Sequence, residues 1–298
     1  MTSAGRFAPS PSGELHVGNL RTAILAWLFA RSTGRNFLLR VEDLDRARAG
    51  AEAEQLRDLA AIGVRWDGAV VRQTDRGGLY AAAISRLADA GRTYECFCTR
   101  REIQEAPSAP HAPQGAYPGT CRNLDPAELE FKRSTRPAAI RLRSDTAEYT
   151  VRDILHGEFT GVVDDFVLRR NDGVTAYNLA VVVDDAAQGI DQVVRGDDLL
   201  ASTPRQAYLA SLLDIPVPEY AHVPLVVNSD GVRLAKRDGA VTLADLALAG
   251  VSAPAVRDVL LQSLGLPAGT LEQALAVFRP EGLPRESWVW PGYPGRLQ

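Results

Sequence analysis

Lysine is nearly absent: of 33 basic residues only Lys132 and Lys236 are lysines, and the rest are arginine. The bias reads as genomic base composition, yet it singles out the two survivors, because a guanidinium does not copy a compact ammonium on a flexible stem. Long apolar runs are missing as well. None approaches the ~18 residues of a membrane-crossing helix, and the first twenty residues lack a charged head followed by an apolar core, so neither membrane insertion nor export is expected. A cytoplasmic, monomeric protein is the expectation. Cysteine is scarce, and the three present are an odd number, which argues against a disulfide framework in that compartment. There is no basic excess, since 33 Lys and Arg face 37 Asp and Glu for a net charge of −4. That excludes a surface coated all over with nucleic-acid-binding charge and leaves room for a local basic patch.

What is present is an ordinary globular composition, 46% hydrophobic and 23% charged over 298 residues, for which two domains are the natural prior. Arg6-Phe7-Ala8 reads as a short strand that breaks into Pro9-Ser10-Pro11-Ser12-Gly13. A helical pattern follows, with Leu20, Ile24, Trp27 and Leu28 on one face and Gly34 as the stop. Asn36 to Val41 reads as a buried strand, and residues 51 to 62 and 79 to 90 as helices ending at Gly63 and Gly91. Alternating strand and helix implies α/β architecture with a parallel sheet.

From about Thr93 the texture changes. The three cysteines fall within 26 positions, four prolines lie between Ala106 and Pro118, and short strands such as Ala139 to Leu142 and Phe159 to Val163 interrupt the rhythm. Residues 95 to 174 therefore read as an insertion. From Thr175 the alternation resumes, with Gln192 to Arg195, the helix Pro204 to Leu213 and the strand His222 to Val227. The tail from 228 is mainly helical, and its closing Trp288, Trp290 and Tyr293 read as packing anchors.

Two segments carry candidate phosphate chemistry. Pro9 to Asn19 lies between the first strand and the first helix, where ligands of open parallel sheets bind. Helix N-terminal amides welcome an anion there, Gly18 permits close approach, and His16 and Asn19 add side-chain donors. Much later, Arg233-Leu234-Ala235-Lys236-Arg237 follows the turn chemistry of Asn228-Ser229-Asp230-Gly231. A basic loop of this kind suits the neutralisation of a phosphate during transfer.

In order and placement, Pro9 to Asn19 resembles the HIGH signature of class I aminoacyl-tRNA synthetases, and Arg233 to Arg237 resembles their KMSKS signature. The likeness is closest to the glutamyl-tRNA synthetase family. It is carried by Arg6-Phe7-Ala8-Pro9-Ser10-Pro11, Leu39-Arg40-Val41-Glu42-Asp43, Arg195-Gly196-Asp197-Asp198 and Ser202-Thr203-Pro204-Arg205-Gln206. Two departures stand out: Asn19 replaces the signature's last histidine, and Ala235 replaces the serine of the second loop.

The resemblance implies a Rossmann-type class I synthetase catalytic domain in two halves, residues 1–94 and 175–227. Between them lies a zinc-containing, acceptor-binding-like insertion, 95–174, and after them a KMSKS-like loop and helical stem-contact region, 228–298. ATP binding is implied for His16, Gly18, Asn19, Arg233 and Lys236, with His16 and Lys236 catalytic and Mg2+ held largely through the ATP phosphates and water. L-glutamate binding is implied for Arg6, Ala8, Ser10, Glu42, Tyr177 and Arg195. Arginines would clamp carboxylates, Glu42 would receive the ammonium and Tyr177 would donate a hydroxyl. Adenylation then needs positioning and charge stabilisation rather than a protein nucleophile.

Cys96-x-Cys98 and Cys121 read as a zinc site, which takes four ligands. From the residues alone His111 is the obvious fourth, whereas the resemblance points to Tyr117. Residues 131 to 143 carry Lys132, Arg133, Arg136, Arg141 and Arg143 and no acid, a candidate phosphate-tracking patch.

Only 61 residues follow Arg237, too few for a separate anticodon-binding domain. That shortness, with the Cys-x-Cys and Tyr-x-x-x-Cys pattern, resembles the glutamyl-Q tRNA(Asp) synthetases. Members activate glutamate with ATP without tRNA, then esterify it to queuosine at the wobble position, which implies the anticodon stem-loop of tRNA(Asp) as partner. The alternatives are a minimal glutamyl-tRNA synthetase charging the 3′ end and a catalytically silent RNA-binding paralogue.

Overall fold

The computed structural model describes residues 3–105, 117–232, 234 and 241–292. His111, Arg233, Ala235, Lys236 and Tyr293 therefore lie outside the described residues.

The chain opens with β1 (Ala4–Phe7), α1 (Val17–Ser32), β2 (Asn36–Val41), α2 (Ala51–Ala61), β3 (Val71–Arg72) and α3 (Gly77–Asp89). The middle third supplies β4 (Thr93–Cys96), α4 (Arg100–Glu105), α5 (Pro126–Thr135), β5 (Ala139–Leu142), β6 (Glu148–Asp153), β7 (Gly157–Val162) and β8 (Val167–Arg169). Then come α6 (Tyr177–Ala187), β9 (Ile190–Gly196), α7 (Thr203–Leu212), β10 (Glu219–Val223) and β11 (Val226–Val227). The tail holds α8 (Leu243–Leu248), α9 (Ala253–Gln262), α10 (Leu271–Val277) and β12 (Trp288–Val289).

The main sheet runs β3-β2-β1-β9-β10-β6-β7. Its pairings are parallel from β3 to β6, and only β7 returns antiparallel along β6. Strand order reverses beside β1, so the carboxyl ends of β1 and β9 flank a crevice of the kind that holds ligands.

The expected insertion is divided in two. Its hairpin, β6 and β7, joins the main sheet because Tyr220 of β10 pairs with Asp153 and Ile154 N–H donates to Tyr220 O (2.8 Å). Only β4, β5 and β8 form a separate antiparallel sheet.

Helix α1 departs from the single apolar face expected of it. Ala23, Ile24, Leu25, Ala26, Leu28, Phe29 and Ala30 are all buried, so the helix is covered all round. A helix apolar on every side must be enclosed, and the tail encloses it: Phe278 meets Phe29 edge-on with ring centroids 5.3 Å apart. Even Arg21 is buried, its guanidinium donating to Pro224 O (2.9 Å) and Ser263 Oγ (3.0 Å), and burial lowers its pKa to about 10. Trp288 and Trp290 anchor the end of the tail, where β12 pairs with β11 and the two indoles meet edge-on at 5.4 Å. No helix among the described residues is long and apolar enough to cross a membrane.

Candidate active site and metal centre

A cavity of about 900 Å³ opens at the carboxyl ends of β1, β2 and β9. Its wall includes Arg6, Ala8, Ser10, Glu42, Tyr177 and Arg195, and on another side His16, Gly18 and Asn19. Residues 6 and 195 thus meet across one space because β1 and β9 are paired neighbours.

Beneath the wall lies a buried row of charges. Arg6 Nε and Nη2 donate to the two oxygens of Asp185, each at 3.2 Å. Asp185 also takes Arg40 Nη1 at 2.7 Å, and Arg40 Nη2 reaches Glu42 at 3.2 Å. Behind the row, Asp184 accepts from Gln73 (2.8 Å), Tyr80 (2.8 Å) and Arg76 (2.5 Å). Burial opposes charge on Asp185, but Arg6 and Arg40 outweigh it and hold the carboxyl below its usual range. At Glu42 the balance reverses, and burial raises the carboxyl despite Arg40 and Arg6. An incoming ammonium would stabilise its ionised form.

Sequence reasoning missed Arg40, Asp184 and Asp185 as parts of the site. The signal was Val181-Val182-Val183-Asp184-Asp185, where two acids end an apolar helical run that buries charge only if it is paired.

The loop between β1 and α1 is tied to β2. Ser10 Oγ donates to Glu42 O (2.8 Å), and Glu42 N–H donates to Pro9 O (2.9 Å). Tyr177 begins α6 and is 42% exposed, which presents its phenol to the cavity. Arg195 gives Nε to His222 Nε2 (3.0 Å) and Nη2 to Thr203 Oγ1 (2.9 Å), while its buried Nη1 has no partner among the described residues.

At the start of α1 the expectation needs correction. The amides of Gly18 and Asn19 are not offered to an anion, because both donate to Nδ1 of His16, at 3.1 and 3.4 Å. Asn19 Oδ1 in turn accepts His16 N–H (3.2 Å), closing a capping box. His16 is therefore the N-cap, and Asn19 is its capping-box partner through Oδ1. Glycine at 18 is required by the ring: a Cβ would lie 2.9 Å from His16 Cε1 and 3.0 Å from Nδ1. With Nδ1 accepting, the neutral ring carries its proton on Nε2.

Leu234 is buried in the cavity wall, and Thr242 bridges to His16 while Val17 N–H donates to Val241 O (3.0 Å). Leu234 within the KMSKS-like stretch and the described residues that follow it thus contact the site or His16 in its wall.

The sulfurs of Cys96, Cys98 and Cys121 lie within 4.8 Å of one another. Tyr117 completes the cluster: its Oη accepts from the Cys96 thiol (3.3 Å) and the Cys121 N–H (2.8 Å) and stands 3.6 Å from Cys98 Sγ. Arg141 stacks on its ring at 3.6 Å. Sulfurs about 2.3 Å from a tetrahedral ion are about 3.8 Å apart, and the Cys98 to Cys121 separation is 3.5 Å. Donor type, number and spacing fit a structural metal ion. Burial pushes the Cys98 thiol up to about 11; at Cys96 the same effect is outweighed by Tyr117 and Arg141, which lower it.

Most of the basic run is paired with groups of the protein itself, and of the four paired arginines only Arg141 is buried. Arg133 pairs with Glu95 (2.8 Å), Arg136 with Glu102 (2.9 Å), Arg141 donates to Asp165 O (2.8 Å) and Arg143 to Asn123 Oδ1 (3.1 Å). The absence of acids from the run itself says nothing of acids supplied by β4 and α4.

The fold has a counterpart among known proteins. Residues 4–288 match the model of the family "tRNA synthetases class I (E and Q), catalytic domain", and the chain belongs to that class. A glutamate tRNA ligase from Elizabethkingia meningosepticum, solved in complex with its amino acid, superposes with a TM-score of 0.81 at 26% identity. That match covers 97% of this chain but 66% of the other. Within the class the chain belongs with the glutamyl-Q tRNA(Asp) synthetases. The protein of that name from Nocardia farcinica is 66% identical over 96% of this chain and 92% of its own length. The one from Cutibacterium acnes is 54% identical over 89% and 77%.

Proposed function

We propose that the protein activates L-glutamate with ATP, without tRNA, and transfers the glutamyl group to queuosine at the wobble position of tRNA(Asp). The observation that carries the site assignment is the convergence of Arg6, Glu42, Tyr177 and Arg195 on the cavity that His16 also lines. Glu42 receives the α-ammonium and is discharged of its burial penalty in doing so. Arg195, whose Nη1 has no partner among the described residues, takes a carboxylate, and Arg6 shares that work from the edge not held by Asp185. Tyr177 adds its hydroxyl, while Ala8 and Ser10 shape the wall. A glutamate carboxylate then attacks the α-phosphorus of ATP, forming the acyl–phosphate bond as the bond to pyrophosphate breaks. His16 Nε2–H and Asn19 with Gly18 form the nucleotide side of the cavity, and Arg233 and Lys236 neutralise the departing phosphates. Mg2+ fits this chemistry as an ion carried on the ATP phosphates.

Zinc is the metal that suits Cys96, Cys98, Cys121 and Tyr117, where it would brace the β4 end of the small sheet. Protein purified without chelator is expected to hold about one equivalent, by the four-ligand closed site; less than half an equivalent would remove the assignment. The partner surface is the anticodon stem-loop, and Lys132 is the one side chain of the basic run without a protein partner among the described residues.

Glutamate-dependent ATP–pyrophosphate exchange in the absence of tRNA tests the activation step. Exchange is expected with wild type and is reduced at least about a hundredfold in Lys236→Ala, the usual loss when one stabilising group is removed. No exchange, or an unaffected variant, would overturn the assignment.

A further inference from the structure

The parallel register of β9 and β10 sets Arg195 directly beside His222. On the far side, β10 meets β6 at the pair Tyr220 and Asp153, which brings Asp153 under the same imidazole. All three residues are buried. Arg195 Nε lies 3.0 Å from His222 Nε2, and a guanidinium is always a donor there. Nε2 must therefore accept, and the ring proton sits on Nδ1, 2.6 Å from Asp153 Oδ2. Asp153 is itself fixed by the backbone N–H groups of Leu155 (2.8 Å), His156 (3.0 Å) and His222 (3.0 Å). Burial keeps the imidazole neutral, with Arg195 adding to that effect against Asp153.

Thr203 holds the other end of the guanidinium through Nη2 (2.9 Å), and the Tyr220 ring lies 5.7 Å from its carbon. Two of the three nitrogens are thus committed to protein, which fixes the plane of the group; Nη1 is buried and has no partner among the described residues, in a residue that lines the cavity.

We infer that His222, oriented by Asp153 and assisted by Thr203, is a positioning residue that aims Arg195 Nη1 at the substrate carboxylate. The inference rests on Arg195 as the glutamate clamp. A carboxylate that sets the tautomer of a histidine, which in turn orients a charged ligand-binding group, is the same device that outer partners provide at metal sites. Nothing in the local sequence announces it, since residues 153, 195 and 222 come from three strands.

The test separates the two nitrogens of the ring. A glutamine at 222 reaches the position of Nε2 and supplies an acceptor to Arg195; an asparagine reaches only the position of Nδ1 and satisfies Asp153 instead. In pyrophosphate exchange, His222→Asn is expected to raise KM for glutamate about tenfold with KM for ATP unchanged, the scale of one lost hydrogen bond to a charged group. His222→Gln should recover most of that loss. Thr203→Val is expected to raise KM for glutamate selectively as well, and it carries the test if substitutions at 222 do not fold. A wild-type glutamate KM in His222→Asn, or equal changes in both KM values, overturns the inference while Arg195→Ala remains defective. An Arg195→Ala variant with normal glutamate KM overturns the clamp and the inference together.

Discussion

Two arginines in the cavity wall differ in what they already hold. Arg6 is bidentate to Asp185, whereas Arg195 has one nitrogen without a partner among the described residues, so the proposal places discrimination for a carboxylate mainly on Arg195. Glu42 is the complementary residue, an acid whose ionised form is disfavoured by burial until an ammonium arrives. The sign of its pH dependence follows. Because the carboxyl pKa is raised, protonation begins at a higher pH than for an ordinary glutamate, and glutamate affinity is lost as the pH falls through that value. Glu42→Gln is expected to remove this acid limb from the pH profile of 1/KM for glutamate and to raise KM about tenfold or more, as expected for a lost charge-assisted bond. An acid limb that survives the substitution would assign it elsewhere. The proposed substrate-binding residues Arg6, Ala8, Ser10, Glu42 and Arg195 were legible as candidates because each sits in a recognisable motif. The groups behind them were not, since Arg40 with Asp185 and Asp153 with His222 are pairs formed across the fold, and a single buried acid in a sequence does not name its partner.

Helix α1 illustrates the same limit at the scale of elements. Its periodicity predicted a helix and its stop at Gly34, whose φ of 70° suits glycine. The burial of its outer face is not legible locally because the cover comes from α9 and α10, more than two hundred residues away in sequence. Phe278, 1% exposed against Phe29, is the closest test of that cover. Phe278→Ala is expected to cost about 3–5 kcal/mol in denaturant unfolding. A loss below about 1 kcal/mol would mean that the tail contributes little to the shared core. In the sequence the middle third reads as one unit because its strands are short and its prolines frequent. The pairing of Tyr220 with Asp153 could not be seen without knowing the strand order, and it assigns β6 and β7 to the main sheet.

Across the whole molecule, charge proved a weak guide to the partner. The net charge of −4 left room for a basic patch, but four of the five basic side chains in the run 131 to 143 are engaged within the protein. What defines function is instead a cavity at the carboxyl ends of parallel strands, flanked by a helix cap on one side and paired charges on the other. The central claim is that glutamate activated there is passed to a nucleoside of the anticodon loop. Incubation with ATP, labelled glutamate and bulk tRNA from a queuosine-containing host, followed by digestion to nucleosides, measures it directly. Label on queuosine from tRNA(Asp) is the expected result, and label on the 3′-terminal adenosine of any tRNA, or on no nucleoside, would contradict it.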